Sequence, residues 1–140
     1  MAADEYSKTL TNTDLNRLVV RQEWLKILPP LEEWIDVDGD GDGGKEVTIK
    51  ALCMFGYTWE FRCYVRGGIY SKPNLQALEW TRFVNYAGLR KGDKVVLRKQ
   101  HNPQRGTDYC IIAQREDADG RWADLERPKR ADPLLYHHLF

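Results

Sequence analysis

From Thr58 to Arg66 apolar and polar residues alternate without a break. Trp59, Phe61, Cys63 and Val65 share one side of an extended backbone, and Glu60, Arg62, Tyr64 and Arg66 share the other. A period of two predicts a half-buried strand, here with two arginines and a tyrosine on its second face. Runs rich in apolar and β-branched residues predict further strands at YSKTL (6 to 10), LVVR (18 to 21), VTIKAL (47 to 52), Leu75 to Leu78, KVVLRK (94 to 99) and YCIIAQR (109 to 115). Two segments have a helical period instead. In QEWLKIL, Trp24, Ile27 and Leu28 fall at i, i+3 and i+4, predicting a short helix that Pro29-Pro30 ends. A second helix is predicted from Glu79, with Trp80, Phe83, Val84 and Ala87 on its packed side and Gly88 as its cap.

Between these elements lie turn formers. TNTDLNR (11 to 17) reads as a polar loop, Gly67-Gly68 frees the backbone after the alternating strand, and Ile69 to Asn74 form a loop stiffened by Pro73. LRKGD makes a tight turn into the sixth strand. Seven short strands, two short helices and frequent turns favour an antiparallel barrel or sandwich. Residues 116 to 140 have no sustained period and read as a mostly irregular tail, with Trp122, Leu134 and Leu135 as its points of attachment. The expected organisation is a disordered start (1 to 5), one domain (6 to 115) and that tail.

The 140-residue length and 42% apolar content suit one hydrophobic core. No apolar run is long enough to span a bilayer, and MAADEYSK lacks the character of a secretion signal. Cys53, Cys63 and Cys110 are odd in number, lack C-x-x-C spacing and lie in strand-like runs, so buried reduced thiols are expected. Net charge is zero, yet the charge is segregated. Residues 31 to 46 carry Glu32, Glu33, Asp36, Asp38, Asp40, Asp42 and Glu46 against Lys45 alone. Residues 60 to 100 carry Arg62, Arg66, Lys72, Arg82, Arg90, Lys91, Lys94, Arg98 and Lys99 against Glu60, Glu79 and Asp93. A basic face on a neutral protein can steer onto a polyanion.

Two motif matches fail on their own chemistry. Asp36, Asp38, Asp40 and Gly41 imitate the start of an EF-hand loop, but Val47 stands where the bidentate glutamate belongs. Gly39 to Lys45 imitates a phosphate-binding loop, but Glu46 replaces the magnesium-holding hydroxyl. No catalytic residue, metal or cofactor is expected. His101, His137 and His138 have no third ligand nearby in sequence, and Ser7 and Ser71 have no nucleophile-elbow context.

The order of signals S-K-T-L-T-N-T-D-L (7 to 15), R-L-V-V (17 to 20), W-E-F-R (59 to 62), W-T-R-F-V (80 to 84) and L-R-K-G-D-K-V-V-L (89 to 97) resembles the plant B3 DNA-binding domain over residues 6 to about 115. The chain departs from that pattern at Arg21, where members usually have proline, and at Glu79, where glycine is common before the helix tryptophan. The resemblance implies a mainly β, seven-stranded open pseudobarrel with two short capping helices, gripping the DNA major groove with two arms. The matching segments are Lys8 to Arg17 and Arg62 to Asn74.

Both arms offer suitable side chains. Arginine can donate to guanine O6 and N7, asparagine can pair with adenine, and hydroxyls can serve base edges or phosphates. Arg62, Arg66 and Asn74 are therefore assigned to base edges, and Tyr64 to a sugar or a thymine methyl. Lys8, Thr11, Thr13 and Lys72 are assigned to phosphates, Asn12 and Arg17 to either, and Ser71 is a further donor. Trp59, Phe61, Trp80, Phe83 and Val95 are expected in the core. The implied function is sequence-specific binding of double-stranded DNA by a plant transcription regulator in the nucleus. RPKR (127 to 130) is a fragmentary localisation signal. No membrane or small-molecule substrate is implied, and other transcriptional regulators are expected to meet the acidic loop or the tail. The competing expectation is a degenerate barrel that binds another protein and no specific DNA.

Overall fold

A computed structural model of the chain describes residues 4–37, 43–67 and 72–126. In order, it contains β1 (Glu5–Thr9), α1 (Asn12–Asn16), β2 (Leu18–Val19), two 3₁₀ helices (Gln22–Lys26 and Leu31–Glu33), β3 (Ile35–Asp36), β4 (Lys45–Cys53) and β5 (Thr58–Val65). Then come β6 (Asn74–Leu75), α2 (Ala77–Ala87), β7 (Lys94–Asn102), β8 (Thr107–Glu116) and β9 (Trp122–Asp124). Seven strands form one continuous path, β1-β7-β8-β4-β5-β6-β2, with β3 and β9 added beside β4 and β8. Neighbours on the path run antiparallel except β4 and β8, which pair in parallel at Ala51–Cys53 and Tyr109–Ile111. The sheet curls into an open half-barrel. Its two ends, β1 and β2, are consecutive in sequence, and no ladder joins them among the described residues.

The alternation from Thr58 onward becomes β5, and its apolar face is the centre of the core. Trp59, Phe61 and Cys63 are buried there. α2 packs Trp80, Phe83 and Tyr86 against them. Trp59 and Phe83 meet edge to face with centroids 5.4 Å apart, and Phe61 and Phe83 do so at 5.9 Å. Such pairing adds to the burial energy of the rings. Val95, Leu97, Ile111 and Ala113 close the core from the opposite strands. Burial pushes the Cys63 thiol up to about 12, which suppresses thiolate chemistry. The α2 helix ends as expected at Gly88, whose left-handed backbone (φ +70°) lets the Leu89 N–H return to the Val84 carbonyl.

Four local expectations are corrected. QEWLKIL is a 3₁₀ helix, not an α-helix, because Pro29-Pro30 leaves little chain over which i+4 bonds can propagate. Its Trp24, Ile27 and Leu28 still face the core. TNTDLNR is not a loop; it holds α1, for which Thr11 and Asp14 form a capping box. β6 covers only Asn74–Leu75, since Ala77 and Leu78 already belong to α2. Residues 116–126 fold back, with β9 pairing β8 and the Lys94 ammonium 4.4 Å from the Trp122 ring centroid. Leu134, Leu135, RPKR and His137-His138 lie outside the described residues, as do Asp38 to Asp42. Lys45 and Glu46 begin a strand, where a phosphate-binding loop would begin a helix. No described helix is long and apolar enough to cross a membrane.

Phe83 joins the helix to both β5 aromatics, so Phe83→Ala should cost about 3–5 kcal/mol. A urea titration followed by tryptophan fluorescence measures this, and an unchanged midpoint would refute the central place given to this ring.

Candidate nucleic-acid interface

The first arm is built around a buried carboxylate. Asp14, 2% exposed, lies in α1 and caps that helix together with Thr11. Its Oδ2 accepts from the Thr11 N–H and hydroxyl, both at 2.9 Å. Its Oδ1 accepts from Lys8 Nζ at 2.9 Å and from the Val19 N–H at 3.3 Å. Lys8 also donates to the Val19 carbonyl, so this one ammonium reaches from β1 to β2 across the unpaired seam. The Asp14 carbonyl meanwhile accepts from Trp80 Nε1 at 2.6 Å, which ties α1 to α2. Burial alone would raise the Asp14 carboxyl. The hydrogen bonds from Lys8 and Thr11 and the Lys8 charge outweigh it and hold the group below its ordinary value of 3.8.

A second buried carboxylate fixes where the arm begins. Gly92, at φ +94°, turns the chain so that Asp93 points inward. Arg115 grips Asp93 with two donors, at 2.9 and 2.8 Å, and adds a bond to the Gly88 carbonyl at 3.0 Å. The same turn exchanges backbone bonds with Leu10, within the first arm. Arm one is thus clamped at Leu10 and at Val19. Asn12, Thr13 and Arg17 project from it and are exposed.

Strand register brings the second arm alongside. β6 lies between β2 and β5, and pairs Val19 with Asn74 and Asn74 with Tyr64. Tyr64 in turn faces Glu46 on β4. One step along, Leu18, Leu75 and Cys63 form a row whose side chains are buried. One step further, the Gln76 N–H bonds the Arg62 carbonyl at 2.8 Å, and Arg17, still extended at φ −152° and ψ 115°, precedes Leu18. Arg17, Gln76, Arg62 and Thr48 therefore make an outward row, parallel to the outward row of Val19, Asn74, Tyr64 and Glu46. Arg66 and Lys72, both exposed, flank the far end.

These rows are mixed in charge. Arg62 Nε donates to Glu79 Oε1 at 2.6 Å, and this bond, then the Glu79 charge, holds the guanidinium above its ordinary pKa despite slight desolvation. Tyr64 is half-buried over Gly44, where an added Cβ would fall 2.8 Å from the ring Cζ. Asn74 Oδ1 is buried and meets no partner among the described residues. Ser71 lies outside the described residues. Two of the residues assigned to phosphates have intramolecular partners: the Lys8 side chain, 17% exposed, donates to Asp14 and to the Val19 carbonyl, and the Thr11 hydroxyl takes part in the α1 cap. Conversely, sequence reading passed over Asp14, Asp93 as a bidentate partner, and Glu79 as the neighbour of Arg62. The T-x-x-D signature at Thr11 and Asp14 was the available sign of the first.

Among the described residues no group of three or more His, Cys, Asp or Glu could hold a metal. No family model and no curated protein sequence matches the chain. A solved structure does: the Arabidopsis FUS3–DNA complex, with a TM-score of 0.56 over 77% of this chain and 93% of that one, at 20% identity. The fold is a B3-like pseudobarrel.

Because Asp14 is held below its ordinary value, its contribution is complete above that value and is lost as pH falls through the folded-state pKa. The wild-type urea midpoint should therefore fall below about pH 4, and Asp14→Asn, itself costing about 3–5 kcal/mol, should flatten that part of the acid slope. Identical acid slopes for both proteins would show that Asp14 is not the group responsible.

Proposed function

We propose that this chain binds double-stranded DNA sequence-specifically in the major groove and regulates transcription in a plant nucleus. The observation that carries this reading is the outward face on which β2-β6-β5 register aligns Arg17, Gln76 and Arg62 in one row and Asn74 and Tyr64 in the next. Two segments more than forty residues apart thereby offer one surface. The likeness to a chain solved as a DNA complex supports the same reading.

Within it, Arg62, Arg66 and Asn74 face base edges, and Tyr64 lies against a sugar or thymine methyl. Asn12 and Arg17 serve either bases or backbone, and Thr13, Lys72 and Ser71 hold the backbone. Pairing of Asn74 with adenine uses both ends of its amide, so its buried Oδ1 has to turn outward on binding. Lys8 and Thr11 act indirectly, by holding the first arm in place.

Selection from a randomised duplex pool at two salt concentrations tests the proposal. Enrichment of one short motif, with affinity falling steeply as salt rises, is the expected result. Arg62→Ala should relax preference at one base pair by about 1–3 kcal/mol, whereas Lys72→Ala should weaken all sequences alike and reduce the salt slope by about 1. Lys8→Ala should lower folding stability. If no motif is enriched and affinity matches background, sequence-specific DNA binding is wrong, and the barrel is better read as a protein-binding module.

A further inference from the structure

Glu79 is a departure from the family pattern, and it sits where it matters most to the proposed surface. It is the third residue of α2, whose start is tied to β5 by the bond from Gln76 N–H to the Arg62 carbonyl. Its neighbour Trp80 is fully buried and donates to the Asp14 carbonyl, so the backbone that carries Glu79 is firmly anchored. The carboxylate itself is tucked in, 19% exposed against 45% for Arg62. Its Oε1 takes the Arg62 Nε–H, and its Oε2 is buried with no donor among the described residues. The orientation of the pair is therefore set from the helix side.

An arginine can offer a two-donor fork side-on, through Nε–H and one terminal nitrogen, or end-on, through Nη1 and Nη2. Here Nε–H is already used. The side chain leaves the outer face of the sheet and is 45% exposed, with the charge of Glu46 as a weaker influence on the same guanidinium. We propose that Glu79 is a positioning residue that commits Arg62 to end-on recognition of a guanine, with Nη1 and Nη2 donating to O6 and N7. This inference rests on the DNA-binding reading above. It has a second consequence, because a carboxylate beside a polyanion repels it: Glu79 gives up general affinity while it narrows the choice of base.

The test compares wild type, Glu79→Gln, Glu79→Ala and Arg62→Ala on duplexes carrying each of the four bases at the selected position, and on a random-sequence duplex. Wild type should favour guanine there by roughly tenfold or more, and Arg62→Ala should abolish the preference. Both Glu79 variants should reduce it to about threefold or less, tighten binding to the random duplex, and leave preferences at other positions intact. Urea midpoints of the variants matching that of wild type show that folding is retained. A merely structural role would weaken specific and random binding together. A simple competitor for Arg62 would, when removed, tighten both and leave guanine preference unchanged. Either result overturns the proposal, as does an Arg62→Ala protein that keeps every preference. If wild type prefers no base anywhere, the DNA-binding reading itself fails.

Discussion

The open seam of this barrel is held by one part-buried ion pair. Strands β1 and β2 end the sheet path without pairing, so nothing in the ladders stops them drifting apart. Lys8, from β1, closes the gap by binding both Asp14 and the Val19 carbonyl, and Asp14 binds the Val19 N–H in return. Burying a carboxylate is costly, and the Coulomb attraction of one lysine seldom recovers that cost by itself. Here the remaining lone pairs are filled by Thr11, which turns the cost into a defined geometry. The same residue therefore starts α1, fastens β1 to β2 and receives Trp80 from α2.

The interface depends on this arrangement. β2 is two residues long, and so is β6 beside it, so neither strand could hold its register by ladder bonds alone. Leu18 and Leu75 add apolar anchoring, but the place of Arg17 in the row with Gln76 and Arg62 follows from the two clamps at Leu10 and Val19. Asp93 provides the first clamp through an Arg115 fork. Each buried acid has its own base and its own turn, and each acts on a different end of the same short arm. Few of the surface ion pairs, such as Lys50 with Glu60 at 3.7 Å, can do as much, because both partners remain hydrated.

What was legible in the sequence was local and periodic. The alternation in β5 and the helical spacing of Trp80, Phe83 and Val84 identify the core directly, because each pattern is written in consecutive residues. Lys8 shows the limit of that reading. Tyr6, Lys8 and Leu10 share one side of an extended strand, so the period of two already turned Lys8 inward, yet its charge led to a phosphate assignment. An isolated basic residue does not reveal a carboxylate six positions away that will fold over it. Glu79 and Arg62 are further apart still, and their meeting depends on how β6 delivers the chain into α2. Pairings of this kind belong to the tertiary structure, and composition carries little trace of them.

Zero net charge is then less of an obstacle to a polyanion than it first looks. At physiological salt, charges beyond about 8 Å are largely screened, so a ligand responds to the groups it approaches and hardly to the sum. The outward rows present Arg17 and Arg62 with Arg66 and Lys72 at their flank, but they also contain Glu46 and place Glu79 against Arg62. A surface that served affinity alone would exclude those acids. Holding a guanidinium by its Nε restricts its approach and removes rotamers that would otherwise be lost on binding, at the cost of some attraction. Under the proposed DNA-binding reading, such a surface favours choice among sequences over tight binding to any of them.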